Sequence, residues 1–155
     1  MCGIAGLLFK NSDYHSGLGR SLIDMLDGCQ HRGPDSTGFA LYGPSQRGRL
    51  VLRFLVGKGR GAEKAISRIR SVLSEQHARI DKEYNVGEHF RVEVSVDHDI
   101  RAFSYAMEQA AQVFSIGESL EIIKDVGGAH DVDALYRVHE FEGTHGLGHV
   151  RLATE

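Results

Sequence analysis

The second residue is the first that could do chemistry. Cys2 follows the initiator Met directly, and its side chain is small enough for methionine removal, which would leave Cys2 as the amino terminus. An α-amino group ordinarily titrates near about 7.7–8.0 and a free thiol near about 8.5. An amino-terminal amine can therefore act as the base for its own thiol near neutral pH, with no histidine required. Gly3 and Gly6 remove side-chain bulk beside this nucleophile and would let a substrate approach the backbone.

Two further stretches carry groups suited to a substrate. His31-Arg32-Gly33-Pro34-Asp35-Ser36-Thr37-Gly38 sets a cation and a carboxylate around a tight turn between a helix and a strand. Gly148-His149-Val150-Arg151-Leu152-Ala153-Thr154 places an arginine at a strand end. A guanidinium fork there suits a bidentate grip on a carboxylate.

The elements that must position these groups follow from periodicity. Met1 to Phe9 is apolar and predicts a buried amino-terminal strand. Leu18, Leu22, Met25, Leu26 and Cys29 share a face and predict a helix from about Gly17 to Gln30, with two strands at Gly38–Tyr42 and Arg49–Val56 after it. A long helix is expected from Ala62 to about Glu83, then a strand in which Phe90, Val92, Val94 and Val96 alternate with a wet face of Arg91, Glu93, Ser95 and Asp97. A helix over about Asp99–Phe114, a strand over Ser119–Val126, a helix capped by Asp131 and a glycine-rich strand from Gly146 complete a mixed α/β or α+β pattern.

Composition narrows the classes. A chain of 155 residues has the length of one domain. Eighteen Lys+Arg against 21 Asp+Glu give a net charge of -3, which argues against nucleic acid or an anionic membrane as the main partner. The longest apolar run, Ile4 to Phe9, is too short to span a bilayer and lacks the flanks of a secretory signal, so the expected home is the cytoplasm. Two cysteines make no disulfide framework.

Two readings without this chemistry compete. Cys29, His31, His145 and His149 offer thiolate and imidazole ligands to a metal, although Cys29 lies on an apolar helical stripe and His145 and His149 stand two pleats apart. Arg49 to Val126 could equally form a ligand-sensing or scaffold module. Its Gly57, Gly59 and Gly61 lack the Gly-Lys-Ser/Thr ending of a phosphate loop and read as a hinge.

Taken together, Met1-Cys2-Gly3-Ile4-Ala5-Gly6, the His31–Gly38 motif and the Gly148–Thr154 motif resemble the class II glutamine amidotransferases, the amino-terminal-nucleophile family. The match covers the first 43 residues or so and the last dozen; residues 58–139 carry no family motif and read as a subgroup-specific elaboration. The Arg-Leu-Ala-Thr-Glu ending and long middle look most like stand-alone amidotransferase subunits related to glutamate synthase and N-methylglutamate synthase.

The resemblance implies an α+β fold, the four-layer αββα sandwich of amino-terminal-nucleophile hydrolases, incomplete at its carboxyl end, with residues 1–155 the first part of a longer domain. Cys2 would attack the side-chain amide of glutamine, release ammonia and form a γ-glutamyl thioester that water hydrolyses to glutamate. Arg151 would hold the substrate α-carboxylate with Thr154 beside it, while Arg32, Gly3, Gly33 and Asp35 would shape the pocket. No metal or cofactor is implied for this chain. Ammonia would pass to a synthase partner, where any flavin or iron–sulfur centre would sit.

One departure accompanies the match. The family's oxyanion hole is an Asn-Gly pair, whereas Asn11 precedes Ser12 and Asn85 precedes Val86, and no Asp matches the family's amino-group ligand. The chain stops one residue past Thr154, in mid-motif. Loss of an oxyanion donor typically costs about 10²–10³ in kcat, so weak or absent glutaminase activity is expected of this chain alone.

Overall fold

The computed structural model describes residues 2–11, 15–45, 47–97 and 99–153. In chain order the elements are β1 (Gly3–Leu8), α1 (Leu18–Asp27), β2 (Ser36–Tyr42), β3 (Arg49–Leu55), α2 (Gly59–Glu75), β4 (Arg79–Val86), β5 (His89–Ser95), α3 (Ile100–Ala110), β6 (Gln112–Gly117), β7 (Leu120–Val126), α4 (Ala129–Tyr136) and β8 (His145–Arg151). Short 3-10 turns occupy Gln30–Arg32 and Val138–Glu140. The fold is mixed α+β, with two antiparallel four-stranded sheets and four helices among the described residues. No described helix is long and apolar enough to cross a membrane. Two compact units divide the chain: Met1–Pro44 with Leu120–Glu155, and Ser45–Ser119.

The first unit holds the sheet β1-β8-β2-β7. α1 packs on one face of it through Leu18, Leu22 and Leu26, all fully buried. Two glycines of β8 make room for that helix. A Cβ on Gly146 would stand 2.7 Å from Leu22, and one on Gly148 would stand 2.6 Å from Leu26. Phe39, Leu41, Ile123, Val132, Val138 and Val150 complete this core. The opposite face of the same sheet carries exposed apolar side chains, Ile4 75%, Leu8 68%, Val126 80% and Leu147 54%, beside polar residues such as Lys124 and His149.

The second unit runs strand, helix, strand, strand, helix, strand, and its sheet order is β4-β5-β3-β6. That is the arrangement of a ferredoxin-like split β-α-β unit. Leu50, Leu52, Phe54, Phe90, Val92 and Val94 meet Ile69 and Leu73 of α2 and Phe103 and Met107 of α3 in one core. The segment without family motifs, 58–139, does not coincide with this unit, since β7 and α4 belong to the first.

Several elements differ from their sequence-based expectation. α2 stops at Glu75, where the periodicity runs on to Glu83. His77 turns the backbone left-handed at φ 52°, and Ala78 N–H donates to Leu73 O while His77 N–H donates to Ser74 O. This is a Schellman closure made by a histidine where glycine is usual. The residues beyond it form β4, whose alternation is broken by an irregularity between Ile80 and Lys82. α3 likewise ends at Ala110, and an extended Ala111 feeds β6 directly with no turn residue to mark the change. α4 begins at Ala129 after Gly128; Asp131 sits inside the first turn and accepts from Gly128 N–H at 2.9 Å. Met25, expected on the buried stripe of α1, is 43% exposed.

The expected wet face of β5 is dry over Arg91 and Glu93, while Ser95 is half-buried and Asp97 is exposed as expected. His89, Arg91 and Glu93 are buried, which charged groups tolerate only when paired. Arg91 donates to Glu93 at 2.6 Å, Arg49 also pairs with Glu93, and Arg91 lies over the Tyr84 ring at 5.3 Å. Burial pushes the Glu93 carboxyl up, but the hydrogen bond and charge of Arg91, then those of Arg49, outweigh it and leave it below the usual carboxylate range. A depressed carboxylate stabilises the fold above the ordinary carboxylate pKa, and that contribution disappears as pH falls through the folded value. The melting temperature of the parent should therefore exceed that of Glu93→Gln at pH 7, and the gap should close between about pH 5 and pH 3. A gap independent of pH in circular-dichroism melts would contradict this account.

Candidate functional site

The sequence-predicted groups gather at one end of the first unit's sheet. Gly3 pairs with Val150 where the β1–β8 ladder begins, so Cys2, just before β1, and Arg151, the last residue of β8, adjoin the same pair of residues. On the other side of β8, Arg151 pairs with Ser36 at the start of β2. The Gln30–Arg32 turn, Gly33 and Pro34 lead straight into that strand, and Pro34 bridges Arg151 in parallel. Three segments far apart in sequence thus end side by side. Cys2, Arg32, Asp35 and Arg151 are all exposed there. Thr154, expected beside Arg151, lies outside the described residues, as does Met1.

Gly33 makes this convergence possible. A Cβ on it would stand 2.4 Å from the carbonyl carbon of Val150 and 2.5 Å from Arg151 N, so backbone lies against backbone. Asp35 then locks the end of β8 with two bonds and ties it to the end of β7 with a third. Its N–H donates to Arg151 O at 3.1 Å, its carbonyl accepts from Gly127 N–H at 3.0 Å, and its carboxylate accepts from Ala153 N–H at 2.6 Å. The carboxylate that the sequence offers to a pocket is therefore engaged in holding the chain just after Arg151. This fixes the backbone that carries the guanidinium.

Gly3 also serves the packing on the core side of β1. Its missing side chain leaves the space where Cys29 packs, since a Cβ would meet Cys29 Sγ at 2.8 Å and Val150 Cγ2 at 2.9 Å. Gly6 similarly leaves space for Leu147. Cys29 itself is half-buried against the core of the first unit, and its thiol faces Met25 O at 3.7 Å. It packs as a core residue there, whereas Cys2 is exposed at the strand start.

Gln30 is a positioning residue that periodicity could not reveal. Its amide nitrogen donates to Gly33 O at 2.8 Å, while its carbonyl oxygen accepts from Ala129 N–H at 2.8 Å. One side chain thus ties the turn to the first residue of α4. Thr37 adds a second tie, donating from Oγ1 to Gly127 O at 2.9 Å. The only hint in sequence is that Gln30 directly precedes the His-Arg-Gly-Pro-Asp motif.

The candidate metal ligands do not converge. No group of three or more His, Cys, Asp or Glu suited to a metal occurs among the described residues. His145 stacks on its cross-strand neighbour Tyr42, ring centroids 4.1 Å apart, and His31 is exposed at the turn.

No protein-family model matches the chain. Two curated proteins resemble it along its whole length. One is the glutamine amidotransferase-like protein GlxB of Rhizobium meliloti (strain 1021), 33% identical over 170 aligned residues that cover all of this chain and 51% of that protein. The other, named "Putative glutamine amidotransferase", comes from Methanothermobacter thermautotrophicus; it is 30% identical over 162 residues covering all of this chain and 53% of its own length. The chain therefore spans about half the length of these relatives. Both alignments include the ferredoxin-like unit as well as the site.

The backbone packing at Gly33 can be tested on its own. Gly33→Ala should destabilise the protein by about 2–4 kcal/mol, because neither partner atom can yield without moving β8. Gly61→Ala, where a Cβ would meet nothing within 4 Å in helix α2, should be neutral or gain up to about 1 kcal/mol. Equal melting temperatures for the two variants would remove the close-approach argument.

Proposed function

We propose that this chain carries the glutamine-hydrolysing site of a class II amidotransferase, with Cys2 as nucleophile and Arg151 as the ligand of the substrate α-carboxylate. The observation that carries the reading is the Gly3–Val150 pairing that ends the β1–β8 ladder, since Cys2 directly precedes Gly3 and Arg151 directly follows Val150, with the Arg32–Asp35 turn alongside β8. Whole-length similarity to two proteins bearing glutamine amidotransferase names supports it.

In this reading the Cys2 amine takes the thiol proton as sulfur attacks the amide carbon, then delivers a proton to the departing ammonia. Water breaks the thioester and releases glutamate. Arg151 grips the far end of the substrate, with Thr154 beside it, and the position of its fork is set by the Asp35 latch. Arg32, Gly3 and Gly33 shape the surrounding surface. The liberated ammonia goes to a cytoplasmic synthase partner of the glutamate synthase or N-methylglutamate synthase kind, which carries any redox centre. The four-layer sandwich belongs to the same proposal. In its favour, the first unit's sheet has helices on one face and exposed apolar side chains, Ile4, Leu8, Val126 and Leu147, on the other, as a strand layer packed by a second layer would.

In a full-length protein carrying this chain, Cys2→Ala should abolish glutamate release from glutamine, and Cys29→Ala should leave it nearly intact; equal losses would refute the nucleophile assignment. Arg151→Lys should raise KM for glutamine about tenfold with a smaller effect on kcat, because a point charge replaces a two-pronged donor. An unchanged KM would take Arg151 out of the substrate site.

A further inference from the structure

The two edges of the second unit's sheet are built differently. β4 carries Arg79, Asp81, Lys82 and Glu83, charges of the kind that keep an edge from pairing with another chain. β6, Gln112-Val-Phe-Ser-Ile-Gly, carries no charge at all. Beside β6 runs an open groove of about 500 Å³, lined by Ser104 and Glu108 of α3 and by residues Ala111 to Ile116. Ile100 and Tyr105 of α3 are 41% and 64% exposed, Tyr105 being the most exposed large hydrophobic residue of the unit.

From these features we infer that the α3 flank and the β6 edge form the contact between two copies of this chain, related by a two-fold axis. On α3 the buried residues are Phe103, Met107 and Ala110. At 100° per residue, Ile100, Ser104 and Glu108 then lie on the flank toward β6, with Arg101 and Tyr105 just outside them. Arg101 and Glu108 are two helical turns apart on this flank and of opposite sign. When two α3 helices lie antiparallel about a dyad level with Ser104 and Tyr105, Arg101 of each copy faces Glu108 of the other. The chemistry is self-complementary, as a two-fold contact requires.

The strand agrees on where the axis falls. From Ser104 to Ala111 the helix descends about 10.5 Å at about 1.5 Å per residue. From Ala111 to the point between Phe114 and Ser115 the strand returns about 11.5 Å at about 3.3 Å per residue. One axis therefore passes through the middle of both the α3 flank and β6. Phe114 is skipped in the pairing of β6 with β3, a bulge that twists the edge. The contact is accordingly led by the helix flank, with Tyr105 covering the partner's groove and the β6 edges abutting across the axis.

Sedimentation velocity over a range of concentrations tests this on the full chain, with circular dichroism confirming that each variant folds. The parent should dimerise. Arg101→Glu, which sets two like-charge pairs across the axis, should raise the dimer dissociation constant about tenfold or more. The double variant Arg101→Glu with Glu108→Arg should return it to within about threefold of the parent, and Tyr105→Ser should weaken the dimer independently. A parent that is monomeric at every concentration overturns the inference, as does a dimer insensitive to both Arg101→Glu and Tyr105→Ser. Weakening by Arg101→Glu that the double swap fails to restore overturns the antiparallel α3 pairing.

Discussion

The whole candidate site depends on one close approach, the backbone of the Gly33 turn lying against the backbone of β8 at Val150 and Arg151. No side chain fits in that gap, so position 33 is limited to glycine by contact with a neighbouring strand rather than by its own φ, which is an ordinary extended value. Everything else at this end of the sheet follows from it. The turn can reach the strand end, Pro34 can bridge Arg151, and Asp35 can latch Ala153. The end of β8, which would otherwise fray, is held by bonds from Asp35, and Gly127 just after β7 holds Asp35 and Thr37 in turn. A guanidinium can serve substrate recognition only when the backbone that carries it is fixed. Here that fixing comes from Asp35, Gln30 and Thr37, and Arg151 is left exposed.

The same logic explains the glycines of β8. Gly146 and Gly148 carry no side chain because α1 lies on them, and Gly3 carries none because Cys29 does. The glycine-rich character of the terminal strands is a packing requirement for bringing a helix close to a sheet. It positions α1, whose end leads through Cys29 into the turn of the site. Core and site are therefore one construction: the stripe of Leu18, Leu22 and Leu26 that fills the core also sets where Gln30 and Gly33 fall.

How far the sequence could be read follows from which forces are local. Most strands and helices were legible because their periodicities are strong, and Cys2, Arg32, Asp35 and Arg151 stood out because their residue types are chemically distinctive. What escaped was non-local or lacked a usual marker. The end of α2 was hidden because His77 takes the left-handed closing position that glycine normally marks. β4 was absorbed into that helix because an irregular register spoils its alternation. The polar side of β5 read as solvent-facing, since nothing local reveals that Glu93 gathers Arg49 from β3 and Arg91 from its own strand. Gln30 shows the same limit: its two partners are three and ninety-nine positions away, and only the fold brings them together.

The central claim is that Cys2 is a live nucleophile at the strand end it shares with Arg151. It is tested most directly by measuring intact mass after incubation with a glutamine-like diazo-ketone electrophile, followed by mapping of the adduct. The account predicts protein lacking Met1 and carrying a single adduct on Cys2, with labelling slowed by added glutamine. Protein that retains Met1, stays unlabelled, or takes the adduct on Cys29 would contradict it.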